Sequence, residues 1–181
     1  MREIVLKILV GGAGGVGKTT ILHRYLHDSF INDTSMTIGV QFHTQLLRHD
    51  NCNVKLALWD MGGQERFRFL LESYAEGGRA AYVLFSIVEP DTMDQVEEWI
   101  ALFKKKLDVN APVLIVGTKL DRATDQEKDV SREFAAGIVA KYNCIGYVET
   151  SSKTGHNVEH AIMMLVNATL PKVLPASCLN T

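Results

Sequence analysis

Ile4-Val5-Leu6-Lys7-Ile8-Leu9-Val10-Gly11-Gly12-Ala13-Gly14-Gly15-Val16-Gly17-Lys18-Thr19-Thr20 sets an apolar run of strand length against a glycine-rich turn and the start of a helical pattern. The run is too short, and too soon ended by glycine, to cross a bilayer, so it reads as a buried strand. Gly12 to Thr19 satisfies G-x-x-x-x-G-K-[ST] in the place that pattern requires, after a strand and at a helix start. Glycines there let the backbone turn so that successive N–H groups of Gly14, Gly15, Val16 and Gly17 point inward at phosphate oxygens, and the helix N-terminus adds a favourable dipole. Lys18 supplies a point charge to the β- and γ-phosphates, the Thr19 hydroxyl suits Mg²⁺, and Thr20 completes the set assigned to the nucleotide. The loop selects a phosphate and not a base; kinases, ATPases and GTPases all carry it.

Outward from this segment, apolar runs of strand length alternate with helical patterns. Strands are predicted over Ile4 to Val10, Val40 to Leu47, Val54 to Trp59, Ala80 to Ile87, Pro112 to Gly117 and Ile145 to Glu149. Helices are predicted over Lys18 to His27, Glu65 to Glu76, Thr92 to Lys106, Ser131 to Tyr142 and His156 to Ala168, with Asp91 preceding the third and Ser131 capping the fourth. The polar turn Asp50-Asn51-Cys52-Asn53 makes the second and third strands a hairpin and the one antiparallel edge. The expected fold is therefore α/β of the P-loop NTPase kind: a six-stranded, mostly parallel sheet with one antiparallel edge strand and about five helices on both faces. One domain over residues 1–170 is followed by a short tail at 171–181, whose two prolines and few apolar residues predict that it leaves the fold.

The chain has 181 residues, 46% hydrophobic and 22% charged, which fits one globular core and not a disordered chain. Lys and Arg total 19 against 21 Asp and Glu, a balance that argues against nucleic acid as a partner. Lys104-Lys105-Lys106 reads as a solvated helix face. Cys52, Cys144 and Cys178 lie far apart without a C-x-x-C pair, so neither a disulfide framework nor a zinc ribbon is expected, and a reducing, cytoplasmic setting is. His23 and His27, like His156 and His160, stand four apart on helices without a third metal ligand, and Trp99 with Phe103 reads as core packing.

The base and the chemistry are read further along. Trp59-Asp60-Met61-Gly62-Gly63-Gln64 places an acid at a strand's carboxyl end to hold Mg²⁺, a Gly63 N–H near a γ-phosphate, and Gln64 where it orients an attacking water. Gly117-Thr118-Lys119-Leu120-Asp121 and Thr150-Ser151-Ser152-Lys153-Thr154 follow the next two strands. Asp121 accepts from N1–H and the 2-amino group of guanine, donors that adenine lacks; Lys119 lays its stem over the ring, and a backbone N–H near Ser152 donates to O6.

In this order, with Thr37-Ile38-Gly39 between them, the motifs resemble those of the Ras superfamily of small GTPases from about Glu3 to Ala168. Thr37-Ile38-Gly39-Val40-Gln41-Phe42, Lys55 to Asp60 and Gln64-Glu65-Arg66-Phe67-Arg68 look most like the Rab branch; Gly62-Gly63 is closer to the Arf pattern, and Thr118 in place of Asn is Rho-like. The resemblance implies a GTP-hydrolysing molecular switch with Mg²⁺ as cofactor and GTP or GDP bound. It implies catalysis by Gln64, Lys18, Thr37 and Gly63, and metal ligation by Thr19, Thr37 and Asp60. Phe30 packs edge-on against the base, Ser151 supports Asp121, and Lys153 completes the base loop. Thr118 is shorter than the usual Asn, which predicts looser nucleotide holding.

No internal arginine finger is visible, so an activator is expected to supply one. Expected partners are effectors, a GTPase-activating protein and an exchange factor, with the protein itself a monomer. Ser73-Tyr74-Ala75-Glu76-Gly77-Gly78-Arg79 departs from the Rab Tyr-Tyr-Arg-Gly pattern and weakens the case for Rab-type effectors. Cys178-Leu179-Asn180-Thr181 is spaced like a prenylation box but has polar Asn180, and no polybasic segment accompanies it, so only a modified C-terminus leads to peripheral membrane association. Two rivals stand beside the switch. A nucleotide-holding scaffold without turnover is opposed by intact Gln64 and Thr37, and a nucleotide kinase needs an arginine-rich lid for which no insertion exists.

Overall fold

The computed structural model describes residues 2–32, 35–49, 52–64, 68–175 and 178. Its six strands are β1 (Arg2–Gly12), β2 (Val40–His49), β3 (Cys52–Met61), β4 (Ala80–Ser86), β5 (Val113–Thr118) and β6 (Gly146–Glu149). They form one sheet in the order β2-β3-β1-β4-β5-β6. All neighbours are parallel except β2 and β3, which pair antiparallel from Val40↔Met61 to His49↔Cys52. The sheet and its single antiparallel pair are those the alternating pattern predicts. Of the expected hairpin turn, Asp50 and Asn51 lie outside the described residues, while Cys52 and Asn53 belong to β3.

Five helices cover the sheet: α1 (Lys18–His27), α2 (Arg68–Ala75), α3 (Val96–Lys104), α4 (Asp125–Tyr142) and α5 (Val158–Val173). On one face Leu6, Ile8 and Val10 of β1 pack with Ile21 and Leu22 of α1 and Ile162 and Leu165 of α5. On the other, Val83 and Phe85 of β4 pack with Leu71 of α2, Trp99 and Phe103 of α3, and Ala135 and Ile138 of α4. Trp99 and Phe103 are fully enclosed, as their spacing predicts. Strand β4 is buried along its whole length, which is why its residues are apolar without alternation.

Several boundaries differ from the sequence reading. Helix α4 starts at Asp125, six residues before the expected cap: Thr124 accepts from the Glu127 N–H at 3.3 Å and donates its own N–H to the Glu127 carboxylate at 2.7 Å. This reciprocal T-x-x-E cap stands in the sequence and outranks Ser131, whose hydroxyl instead donates to the Lys128 carbonyl from mid-helix. Asp91 caps nothing; it falls in a 3₁₀ turn, Pro90–Gln95, that leads into α3. The first three residues expected in α2, Glu65 to Phe67, lie outside the described residues.

The tail also departs from expectation. Helix α5 runs through Pro171, which has no N–H to give the Asn167 carbonyl, and the helix ends two residues later. Leu174 and Cys178 then join the core beside α1 and β3. Cys178 forms a disulfide with Cys52, 126 positions away. Spacing could not reveal this pair, because only the topology brings the start of β3 and the segment after α5 to the same end of the sheet. Cys144 is a buried free thiol. Among the described residues no helix is long and apolar enough to cross a membrane.

Register decides where the loops gather. Val10 pairs Asp60, Gly12 pairs Leu84, Ser86 pairs Thr118 and Gly117 pairs Glu149, so the carboxyl ends of five parallel strands lie along one edge. In an open α/β sheet that edge is where ligands bind.

Candidate functional site

The turn after β1 forms the floor of a cleft of about 580 Å³, within the usual range for a small-molecule site. Gly17 is the N-cap of α1 with φ 98°, a left-handed conformation that a side chain would strain, and it turns the chain into the helix with its first amides exposed. Gly14, Gly15, Val16 and Gly17 line the cleft, followed by Lys18, Thr19 and Thr20. Lys18 is 6% exposed and donates to the Gly12 carbonyl at 2.8 Å and the Ala13 carbonyl at 2.7 Å. Burial pulls its ammonium down to about 8, with the Asp60 charge opposing that shift and Arg68 adding to it. A bound anion would favour its charged form and oppose that shift.

Opposite Lys18, three oxygens converge. The Thr19 hydroxyl donates to Asp60 Oδ2 at 2.5 Å and lies 3.0 Å from the Thr37 hydroxyl. Asp60 is fully buried, and its Oδ1 has no hydrogen-bond partner among the described residues. Burial raises its carboxyl from the ordinary range, against the Thr19 hydrogen bond and the Lys18 charge. A buried carboxylate with one oxygen on the Thr19 hydroxyl and the other without a partner, with the Thr37 hydroxyl beside Thr19, fits a hard divalent cation such as Mg²⁺. Among the described residues no cluster of three His, Cys, Asp or Glu could hold a metal, so neither histidine pair gains a third ligand of that kind.

The segment after β3 approaches the phosphate loop closely. A Cβ on Gly63 would stand 2.4 Å from the Gly14 nitrogen, so only glycine lets this segment run against the loop. The Gly62 N–H donates to the Gly39 carbonyl at 2.8 Å, tying it to the residues after Thr37. Gln64 is half-buried, does not line the cleft, and donates to the Met36 sulfur.

At the other end of the cleft stand Phe30, Thr118, Lys119, Asp121, Ser152 and Lys153. Ser151 sits behind them and donates to Asp121 Oδ1 at 2.5 Å, which aims that carboxylate. Lys119 takes a left-handed conformation, φ 62°, and its ammonium pairs with Glu89 at 2.7 Å. Thr118 is 2% exposed, and its hydroxyl donates to the Val16 carbonyl at 2.6 Å, with the Phe85 carbonyl at 3.1 Å. The short side chain thus bridges base loop and phosphate loop, and the looseness expected of a hydroxyl does not arise at this contact.

Thus the structure gathers the predicted residues into one cleft, with Ser151 and Asp60 directly behind its walls and Gln64 turned aside. Ile31, Asn32, Ser35, Met36 and Arg122 also line it and were not anticipated. Their only signal is adjacency to Phe30, Thr37 and Asp121, since nothing in their own chemistry names a ligand. Beside the cleft, Phe42, Trp59 and Tyr74 form an aromatic row with centroids 5.9 and 6.2 Å apart, and Ile38 and Phe69 are exposed nearby.

A parallel sheet with a glycine loop entering a helix at its carboxyl edge defines the P-loop NTPase architecture. Residues 7–170 match the profile of the Ras family. The chain is 33% identical over 171 residues to "Ras-related protein Rab-4B" of Rattus norvegicus and of Homo sapiens, covering 94% of this chain and 79% of theirs. It is 31% identical over 174 residues to "Ras-related protein Rab-7b" of Bos taurus, covering 94% and 85%. The chain belongs to the Ras superfamily of small GTPases, in its Rab branch. That membership supports, in general terms, a GTP-binding and GTP-hydrolysing switch.

Proposed function

We propose that this protein is a Rab-like switch in the cytoplasm that binds GTP with Mg²⁺, hydrolyses it, and reports the nucleotide state to protein effectors in membrane trafficking. The convergence of Thr19, Thr37 and Asp60 beside buried Lys18 carries this reading, because it joins a γ-phosphate position to the loop that follows Thr37.

In the mechanism, the amides of Gly14 to Lys18 and the Lys18 ammonium take the phosphates, replacing the Gly12 and Ala13 carbonyls that Lys18 now contacts. Thr19, Thr37 and Asp60 are the residues that would hold Mg²⁺, which would supply charge neutralisation at the phosphates. The Gly63 N–H, held against the phosphate loop, donates to the γ-phosphate. Gln64 leaves Met36 and orients the attacking water. Asp121 reads N1–H and the 2-amino group of guanine, Lys119 covers the ring, and Phe30 meets its edge. Loss of the γ-phosphate releases Thr37 and Gly63 and so reshapes the surface around the row Phe42, Trp59 and Tyr74, which we assign to effectors. An activating protein supplies the arginine that raises a rate of about 10⁻⁴ s⁻¹ in this class.

Single-turnover release of phosphate from protein loaded with GTP and Mg²⁺ tests the reading. The wild type turns over slowly, and Gln64→Leu slows it at least tenfold without weakening GTP binding. An unchanged rate refutes the role given to Gln64, and no phosphate release at all favours the scaffold rival.

A further inference from the structure

One side chain outside the family motifs joins a wall of the base end of the cleft to the turn that leads to Phe30. Arg24 lies on α1, its side chain 15% exposed. Its Nε donates to the Ser152 carbonyl at 2.9 Å and its Nη2 to the Lys153 carbonyl at 2.7 Å. Its Nη1 donates to the Asp28 carbonyl at 2.9 Å, with the exposed Asp28 carboxylate 3.6 Å away. Ser152 and Lys153 form one wall of the cleft; Asp28 is the left-handed C-cap of α1, two residues before Phe30 on the other wall. The planar guanidinium fork suits this work, since its donors diverge at fixed angles to three carbonyls that an ammonium could not reach together. The flat group also passes over Gly155, where a Cβ would stand 3.5 Å from Nε, in ordinary contact.

Peptide geometry gives the contact a consequence at the cleft. In a trans peptide the carbonyl of one residue and the N–H of the next point in opposite directions. Holding the Ser152 carbonyl on Arg24 therefore fixes the Lys153 N–H to point away from Arg24. The following N–H, that of Thr154, is already taken by the Ser151 hydroxyl at 3.2 Å, and the same hydroxyl aims Asp121. The base loop is thus held from behind at two points. Ser151 sets the carboxylate that reads N1 and the 2-amino group, and Arg24 sets the backbone that faces O6.

Resting on the guanine-nucleotide reading above, we propose that Arg24 is a positioning residue for base recognition. It clips the Ser152–Lys153 backbone to the turn that carries Phe30, and so governs reading of the guanine O6 and the rate at which nucleotide leaves.

The test uses the full chain, wild type, Arg24→Met and Arg24→Lys, with GDP, IDP and 6-thio-GDP as probes. IDP lacks only the 2-amino group read by Asp121; 6-thio-GDP replaces only O6, by a weaker acceptor. Arg24→Met keeps the stem and removes the donors. It is expected to speed GDP release about tenfold and to lower the preference for GDP over 6-thio-GDP at least threefold, while the preference for GDP over IDP stays at the wild-type value. Arg24→Lys, with its charge but without the fork, falls nearer to Met than to wild type. Because each preference is a ratio measured on one protein sample, a smaller folded fraction does not alter it. An unchanged 6-thio-GDP ratio in Arg24→Met overturns the proposal, and so does an equal fall in both ratios, which marks a general loosening of the site. Wild-type protein that binds ADP as tightly as GDP refutes the nucleotide reading itself.

Discussion

Replacing Thr118 by valine keeps the shape of a residue that is 2% exposed and removes one donor. That donor reaches the Val16 carbonyl at 2.6 Å, a contact between segments 102 positions apart that joins the strand end before Lys119 and Asp121 to the loop that holds the phosphates. The Phe85 carbonyl, at 3.1 Å, is the weaker acceptor, and one hydroxyl proton serves one acceptor at a time. Deleting a buried donor costs about 1–2 kcal/mol, because the carbonyl it served has no water to turn to. If the tie matters equally with and without nucleotide, that cost falls on folding alone. If it aligns the two halves of the cleft, part of it falls on binding, and the full 1–2 kcal/mol corresponds to roughly a 5- to 30-fold weaker nucleotide. The assay is dissociation of a fluorescent GDP analogue from Thr118→Val, alongside its melting temperature without nucleotide. We expect release to speed within that range, with melting lowered by a few degrees. Release at the wild-type rate, with melting lowered, refutes the claim that the hydroxyl couples base loop to phosphate loop and leaves it a packing contact.

Other perturbations address separate parts of the site. Asp121→Asn replaces the acceptor for guanine N1–H and the 2-amino group, so preference shifts from guanine toward xanthine nucleotides; a variant that still prefers GTP over XTP in competition binding refutes the base assignment. Lys18 has its ammonium depressed to about 8 by burial, beside Asp60 and Arg68. Phosphate favours its charged form, so binding takes up little proton below pH 7 and up to about one proton from pH 8 toward 10.5, and affinity falls as pH rises through that window. Calorimetry in buffers of different ionisation enthalpy reads the uptake, and a pH-independent value from 7 to 9 contradicts it. The Cys52–Cys178 bridge closes a loop of 126 positions, which in the chain-entropy limit stabilises the fold by about 4–5 kcal/mol. Cys178→Ser, or a dithiol reductant, is expected to lower melting on the order of 10 °C, and coincident melting curves with and without reductant rule the bridge out as a stabilising link.

The legible part of this molecule is the part whose physics is local. Ile4 to Thr20 announces strand, phosphate loop and helix within one window, because glycines at fixed spacing and a terminal Lys-Thr have few other uses. Helix α1 has the limits read from the sequence, Lys18–His27, since Gly17 and the end of its apolar stripe both mark them. Where the sequence offers two local signals, choosing between them needs the fold: Ser131 looks like a cap until Thr124 and Glu127 are seen to bond each other first. Nonlocal facts leave no mark at all. Cys52 and Cys178 meet only because α5 ends at the edge where β3 begins, and Arg24 reaches Ser152 across 128 positions. A helix arginine carries no sign of which carbonyls it faces.

On the proposed reading, alternation along β3 explains how a buried phosphate contact reaches the surface. Successive strand residues face opposite sides of the sheet. Asp60 therefore meets Thr19 just behind the cleft wall, while Trp59, its neighbour in sequence, faces the other side between Phe42 and Tyr74. Lys7, one strand over on β1, places its ammonium 3.7 Å from the Trp59 ring centroid and donates to the Glu76 carbonyl at 2.8 Å just beyond α2. Burial lowers that ammonium's pKa, against the nearby Glu76 charge that raises it. Trp59 is thereby fixed on its strand, whereas Thr37 and Gly63 hold their places through contacts that nucleotide can rearrange. The rigid member of the aromatic row is thus the one attached to the metal-binding strand. A change at the phosphates acts first on Thr37 and Gly63, and so alters the shape of the apolar face without disturbing the sheet beneath it.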